Sequence, residues 1–356
     1  MPNHAELPVD RANNIIEGHY LETTDNLFFA VKGLLHPPTR FVAVLRYVPD
    51  PSGDREKSGR RYRRLYHFGD QEQLVRAQYP HYLVFDPTCQ VALQSVPLEY
   101  LKQVYNPSVR LQELAQQDGL MPVEQDAVEF ALLLQHEADI PWDNLGISGS
   151  MLIGLHTLGS DLDMQVCGPQ DCWAVQRALK RLLADPSSEV HRLDEQGVQE
   201  LYATRVMDTR MSFSDFARSE RDKVIQGRFR DRPYFMRFLR APSELDEKYG
   251  DRRYMPLGQV RIEATVTDAR EAIFTPCRYT IDEVCFGAKG PLWVGAPKVE
   301  GLSEIVSFRG RFCEQAQNGD RIQACGTLER VQATDGRAWH RLLLGNHLED
   351  HMLALR

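Results

Sequence analysis

The segment Leu145-Gly146-Ile147-Ser148-Gly149-Ser150, followed after ten residues by Asp161-Leu162-Asp163, decides how this chain is interpreted. Residues 144–148 predict a short strand, Gly149-Ser150 a turn into a short helix, and residues 161–167 a second strand with alternating polarity. Because residues two apart in a strand share a face, both carboxylates point to the same side. Paired carboxylates repel each other unless a cation neutralises them, and hard oxygen ligands suit Mg²⁺.

The Gly149-Ser150 pair stands where a strand ends and a helix begins. Unpaired backbone N–H groups at such a point favour an anionic phosphate. Gly149 lets the backbone come close to a ligand, and the Ser150 hydroxyl can cap the helix or donate to a phosphate oxygen. Ser160, directly before the two aspartates, is assigned to the same nucleotide-binding set. This pattern predicts a phosphate loop beside a cation site.

Gly149-Ser150 with Asp161-Leu162-Asp163 resembles the motif of the nucleotidyltransferase superfamily typified by DNA polymerase beta. The resemblance covers residues 145–167 closely and 120–268 loosely, and the whole chain is similar to prokaryotic proteins described as predicted nucleotidyltransferases. It implies two Mg²⁺ ions, a nucleoside triphosphate held by the Gly-Ser loop, and transfer of a nucleoside monophosphate to an acceptor hydroxyl with release of pyrophosphate. The acceptor stays open between an RNA end, a protein and a small molecule.

The superfamily also uses a third carboxylate on an adjacent strand, and Glu263 is our candidate. Residues 260–266 alternate, with Glu263 on the polar face. The superfamily usually has Asp there, so Glu is a departure. Glu189 and Asp194 are alternatives, whose ordinary roles would be a surface strand residue and a helix N-cap. Asp161, Asp163 and Glu263 are therefore the predicted catalytic residues and metal ligands.

A basic run at residues 217–240 carries eight Lys or Arg and three Asp or Glu, interleaved with aromatic residues. It suits a groove for triphosphate or nucleic acid, in which arginines bind phosphate and aromatic rings stack on bases. It equally suits a solvated helix face with local ion pairs, followed by a core strand. Lys223 and Arg228 are the first candidates for contact with the triphosphate.

Around this segment the chain divides into three units of an α+β fold. Residues 1–115 predict a β-rich domain of unknown role, with a polar loop at 49–61 that we expect to be a mobile hairpin tip. For residues 116–268 the resemblance implies a palm-like nucleotidyltransferase core with a mixed sheet. The periodicity of these residues predicts helices at 124–138, 170–183, 194–206 and 212–226, and neighbouring strands at 232–240 and 259–267. Residues 269–356 predict a small OB-like β-barrel.

Composition excludes several classes of protein. The 356 residues have a net charge of −8, which argues against a surface coated with positive charge for nucleic acid. No apolar stretch approaches the roughly 20 residues of a membrane span, and no secretory leader is visible. Seven cysteines without a CxxC pair indicate a reduced, cytoplasmic protein. The alternative function is a non-catalytic module of the same fold that binds nucleotide or RNA.

Overall fold

Alternating apolar side chains in residues 20–105 build the first of three sheets. The computed structural model describes residues 14–208, 210–287 and 301–355. The first sheet has a main path β4-β5-β3-β2-β1-β8, and β7 joins it to β6 by pairing with β3. Its strands, with helix α1, are β1 (Tyr20–Thr23), β2 (Phe28–Val31), β3 (Arg40–Pro49), β4 (Arg55–Lys57), β5 (Arg60–Arg64), α1 (Phe68–Gln78), β6 (Leu83–Asp86), β7 (Val91–Pro97) and β8 (Leu101–Tyr105).

The polar segment at 49–61 forms the predicted hairpin, but it packs against the rest of the fold despite its polar composition. It forms the hairpin β4–β5, which extends the sheet through the pairing of Tyr47 with Arg64. Lys57 Nζ donates to the Ile153 carbonyl at 2.6 Å. Arginine and lysine stems pack on apolar surface while their cations reach backbone carbonyls, so a polar composition did not prevent docking.

The second sheet is mixed and has the order β11-β12-β13-β10-β9. Strands β10 and β13 run parallel, and Asp163 lies opposite Phe235. Alternate residues of β10 (Leu162, Met164 and Val166) are fully buried in the main core cluster. The elements of this unit are α2 (Pro107–Ala115), α3 (Pro122–Ala138), β9 (Leu145–Ile147), α4 (Gly149–Leu152), β10 (Leu162–Cys167), α5 (Pro169–Leu182), β11 (Val190–His191), α6 (Glu195–Arg205), α7 (Phe213–Glu220), β12 (Gln226–Phe229) and β13 (Arg232–Leu239).

The third sheet closes into a barrel. The strand order is β14-β15-β16-β18-β17, and β14 pairs back with β17, while β16 and β18 run parallel. This five-stranded closure confirms the predicted small barrel, and β19 adds to β17. Its strands are β14 (Arg252–Asp268), β15 (Cys277–Phe286), β16 (Leu302–Ser307), β17 (Arg321–Ala333), β18 (Ala338–Leu344) and β19 (His351–Ala354).

Two expectations about element placement are wrong. Residues 259–267 do not neighbour 232–240, because they belong to β14, whose partners are β15 and β17 in the barrel. The helix expected at 212–226 ends at Glu220, since Gln226 already pairs with Phe235 as part of β12. Among the described residues, no helix is long and apolar enough to cross a lipid bilayer.

Candidate functional site

The Asp163 carboxylate lies against the backbone of Gly149. Strand β9 is antiparallel to β10, and the Ser148 N–H donates to the Asp163 carbonyl at 2.7 Å. Gly149 has φ +63°, and a Cβ at this position would overlap Asp163 Oδ2. Both the left-handed conformation and the close approach therefore require glycine. The expected proximity of the Gly-Ser turn and the second aspartate is what the structure has.

Asp161 lies just before β10, is exposed, and interacts electrostatically with Asp163. Partial desolvation raises the pKa of Asp161, the negative charge of Asp163 raises it further, and the guanidinium groups of Arg64 and Arg55 oppose the rise. A divalent cation would relieve this repulsion. Mg²⁺ is commonly held by one or two carboxylates together with substrate phosphates and water, so Asp161 and Asp163 fit it.

Glu263 is not part of this pair, and its assignment as third ligand is corrected. It lies on β14 in the barrel, its side chain is 48% exposed, and its carboxylate is 3.8 Å from Arg321. The described residues contain no group of three His, Cys, Asp or Glu side chains placed to hold a metal. Glu263 therefore lies in a different sheet from the carboxylates it was expected to join.

The two alternative carboxylates have ordinary structural roles. Asp194 caps α6, where its Oδ1 accepts from the Gly197 N–H at 2.8 Å. Glu189 lies before β11 and accepts from Arg230 Nε at 2.7 Å. The strand parallel to β10 offers no substitute, because Phe235 and Arg237 face Asp163 and Gln165 on β13. On β13 the position beside Asp163 is thus occupied by Phe235, and the position beside Gln165 by Arg237.

Ser150 and Ser160 are hydrogen-bonded to each other. Ser150 Oγ donates to Ser160 Oγ at 3.3 Å, and Ser160 Oγ accepts from the Thr157 N–H at 2.9 Å. Both side chains are buried. Helix α4 has four residues, so it provides one turn of backbone N–H groups and little macrodipole. In this arrangement the two hydroxyls brace the loop between α4 and β10.

The basic run is mostly paired within the fold. Lys223 is fully buried, donates to Glu220 at 2.9 Å and to the Arg311 carbonyl, and so is not placed to contact a triphosphate at the aspartates. Arg228 donates to the Asp231 carbonyl at 2.7 Å. The remaining ion pairs match the local-pair interpretation, and they join Arg218 to Asp215, Arg230 to Glu129 and Glu189, Arg232 to Asp126, and Arg240 to Glu271.

Two cations of the first sheet interact with the aspartates. Arg64 on β5 interacts electrostatically with Asp163. Arg55 on β4 donates to Thr157 Oγ1 at 3.2 Å and to Ser160 Oγ at 3.4 Å. Sequence reasoning missed both, although the basic composition of residues 55–64 was the available signal. The hairpin β4–β5 therefore completes one wall of the site.

Comparisons with known proteins extend this picture without naming a function. No protein-family model matches the chain, and no solved structure matches it. The chain is similar to the uncharacterized protein MJ1086 of Methanocaldococcus jannaschii, with 29% identity over 339 residues, which cover 93% of this chain and 95% of that protein. The similarity therefore runs through all three sheets.

Proposed function

We propose that this protein is a Mg²⁺-dependent nucleotidyltransferase that uses a nucleoside triphosphate as donor. The observation that carries the proposal is the Asp163 carboxylate packed against Gly149, with Asp161 beside it. In this geometry a backbone turn without a side chain and two repelling carboxylates meet at one point. Such a point suits a phosphate-bound cation.

In the proposed mechanism the carboxylates bind the metal, and the backbone amides and the arginine bind the phosphates. Asp161 and Asp163 would hold Mg²⁺, which when bound activates the acceptor hydroxyl and neutralises charge on the departing pyrophosphate. The backbone at Gly149 and Ser150 would admit the phosphates, and Arg64 faces the same space from β5. We also propose that the mixed sheet is palm-like and that the barrel is OB-like. The strand order β13-β10-β9 supports the first assignment, and the order β14-β15-β16-β18-β17 supports the second.

A second candidate function is a module that binds nucleotide or RNA without turnover. The residues of β13 that face Asp163 and Gln165 favour it, because Phe235 and Arg237 supply no carboxylate there. Without that group the acceptor hydroxyl would lose its proton to solvent or to a phosphate oxygen. The two candidates share the nucleotide site and differ only in transfer.

The test incubates the full chain with each radiolabelled nucleoside triphosphate, Mg²⁺ and a pool of RNA, protein and small-molecule acceptors. Pyrophosphate release and label transfer are measured for the wild type and for Asp163→Asn. We expect both signals in the wild type and neither in the variant. The matched control is Asp335→Asn in the β17–β18 turn, whose carboxylate pairs with Arg337 at 2.7 Å.

Each result separates the candidates. Pyrophosphate release that persists in Asp163→Asn would overturn the assignment of this carboxylate. Mg²⁺-dependent nucleotide binding by calorimetry, without transfer to any acceptor, would establish the binding module instead. Absence of nucleotide binding in the wild type, with chelator and with Mg²⁺, would reject both functions.

A further inference from the structure

Five cationic side chains come from elements of all three sheets, and one of them interacts with the aspartate pair. Lys32 follows β2, two arginines come from β3 and β5, one comes from β13, and one lies in the loop after β16. All five are partly exposed. We call this set the cationic groove, and its members are Lys32, Arg46, Arg64, Arg237 and Arg309.

Pairwise electrostatic interactions connect the members of the cationic groove. Arg64 interacts electrostatically with Asp163 at one end. Arg46 interacts with both Lys32 and Arg309, and Lys32 also interacts with Arg237. Arg46 and Arg64 both interact with Tyr47, which pairs with Arg64 across β3 and β5. Neighbouring members of the set thus lie close enough to influence each other's charge. Like charges held together in this way are a site for an anion.

The protein itself supplies few counter-charges. Glu17, which is 1% exposed, lies 2.5 Å from Lys32 and 3.7 Å from Arg237. Arg309 lies 3.5 Å from Asp208. Within the described residues, no carboxylate comes within 4 Å of Arg46 or Arg64. Arg46 therefore has no close carboxylate in the described part of the chain, and Arg64 interacts with Asp163 only from beyond 4 Å. A half-buried guanidinium group in this situation favours an external anion.

Exposed aromatic rings line the same path. The side chains of Tyr66, Phe68 and Phe308 are 56%, 40% and 39% exposed. The guanidinium of Arg64 lies 4.8 Å from the Tyr66 ring, and that of Arg309 lies 5.7 Å from the Phe68 ring. Phe308 packs beside Gly33, the residue after Lys32. Alternating cations and open rings bind single-stranded nucleic acid, because phosphates pair with the cations while unpaired bases stack on the rings.

We infer that the acceptor is a single-stranded nucleic acid, bound along the cationic groove with its 3′ hydroxyl at Asp161 and Asp163. This inference rests on the proposed nucleotidyl transfer. The 3′ oxygen forms a bond to the α-phosphorus of the nucleoside triphosphate, and the hydroxyl proton passes to solvent. The bond from the α-phosphorus to the bridging oxygen breaks, and pyrophosphate leaves with that electron pair.

The extent of the groove favours a strand over the triphosphate alone. Arg309 and Phe308 lie in the loop after β16, and Arg309 interacts with Arg46. A triphosphate held at Gly149 would leave that part of the groove open. A duplex would keep its bases stacked on each other, so the exposed rings would have nothing to bind.

The test measures binding of 5′-fluorescent oligonucleotides of about 20 nucleotides by anisotropy, since one strand-binding module covers about 4–16 nucleotides. RNA, DNA and the matching duplexes are titrated at several salt concentrations. We expect single strands to bind with a steep salt dependence, because each neutralised phosphate contributes a slope of about −0.7. Arg46→Glu should weaken binding at least tenfold, and Arg46→Lys should retain most of it.

Matched variants exclude general effects. Arg337→Glu, at a 75% exposed arginine in the β17–β18 turn, should bind as the wild type does. Phe308→Ala should weaken binding about tenfold, whereas Phe85→Ala, at a 65% exposed ring on β6, should not. Oligonucleotide binding is measured without nucleoside triphosphate, and transfer is assayed separately. Wild-type protein that binds single strands but transfers no nucleotide would mean that the proposed transfer fails, whereas loss of strand binding would mean that this inference fails.

Three results would overturn the inference. The first is that the wild-type protein binds no single strand at low salt, and the second is that it binds a duplex as tightly as a single strand. The third is that Arg46→Glu lowers the affinity for the nucleoside triphosphate but not for the oligonucleotide. Preference for RNA or for DNA identifies the natural strand, and either preference supports the groove.

Discussion

Strands β10 and β14 have the same kind of sequence and different surroundings. In β10, Leu162 and Met164 point into the core while Asp163 points outward, and in β14, Ile262 and Ala264 are buried while Glu263 points outward. Asp163 meets Gly149 and the cations of the first sheet. Glu263 lies 3.8 Å from Arg321 on an exposed barrel face. An outward carboxylate on an alternating strand thus becomes a candidate site only when another segment folds against it.

The largest effect should come from removing the carboxylate of β10 that contacts the turn. Asp163→Asn should lower nucleotidyl transfer about a thousandfold or more, because a metal ligand contributes several kcal/mol to the transition state. Initial rates under saturating Mg²⁺ and nucleotide give the number, and thermal unfolding confirms that the variant is folded. A decrease in rate of less than tenfold would mean that Asp163 on β10 is no more important for transfer than Glu263 on β14.

Gly149→Ala should have the next largest effect. The new Cβ would overlap Asp163 Oδ2, so the carboxylate must move, and we expect a loss of Mg²⁺-dependent nucleotide affinity of tenfold or more. Backbone strain adds a destabilisation of about 1–2 kcal/mol. Calorimetry and chemical denaturation measure the two effects.

The matched control is Gly119→Ala between α2 and α3. Gly119 has φ +71°, close to the φ +63° of Gly149, but open space around its Cβ position. It should therefore show the loss of stability without the loss of affinity. Equal affinity losses in both variants would mean that strain, and not contact with Asp163, requires the glycine.

The pKa of Asp161, just before β10, should also differ from that of an ordinary surface carboxylate. Since the pKa of Asp161 is raised by desolvation and by Asp163, Mg²⁺ affinity should be full above the raised pKa and fall as the pH drops through it. In metal-free protein the stability changes with pH in the opposite direction to the Mg²⁺ affinity. The reason is that Asp161 binds its proton more tightly in the folded state than in the unfolded state. The free energy of unfolding contributed by Asp161 should thus decrease as pH rises from its unfolded pKa through its folded pKa.

Carboxyl ¹³C chemical shifts in metal-free protein follow this titration directly. Asp163→Asn should lower the pKa of Asp161 toward its ordinary value, whereas Arg64→Leu should raise it further, because it removes an opposing cation. If the pKa of Asp161 is unchanged by both substitutions, the two aspartates are electrostatically independent.

The smallest effect should come from β14. Glu263→Gln should change the rate of nucleotidyl transfer by less than twofold and the free energy of unfolding by about 0.5 kcal/mol, as expected for an exposed ion pair. Steady-state kinetics and urea denaturation test both. A tenfold loss of rate would return this carboxylate to the site and contradict the separation of the two sheets.

The local sequence pattern was sufficient to predict the part of the candidate site whose residues are close to one another in sequence. The turn at Gly149 and the pair Asp161 and Asp163 lie within one strand-helix-strand unit, so periodicity and turn chemistry place them together. Residues 260–266 were correctly interpreted as an alternating strand. Their sheet could not be read from the same alternation, because period two specifies faces and not partners.

Long-range contacts decided the rest. The pairing of Arg261 with Cys325 places Glu263 in the barrel, and the burial of Lys223 against Glu220 removes a predicted phosphate ligand. Arg64, a candidate ligand missed by the sequence interpretation, lies about a hundred residues before Asp163. Such approaches depend on how the first sheet docks, and no local window contains that information.

The sequence by itself determined the strand-turn-strand unit with its glycine and two aspartates, because those features follow from neighbouring residues. Only the tertiary structure decided which charges meet them. It moved Glu263 away into the barrel and brought Arg64 and the hairpin β4–β5 against the aspartates. The physical reason is that electrostatic interactions depend on distance in space, which the packing of whole sheets sets.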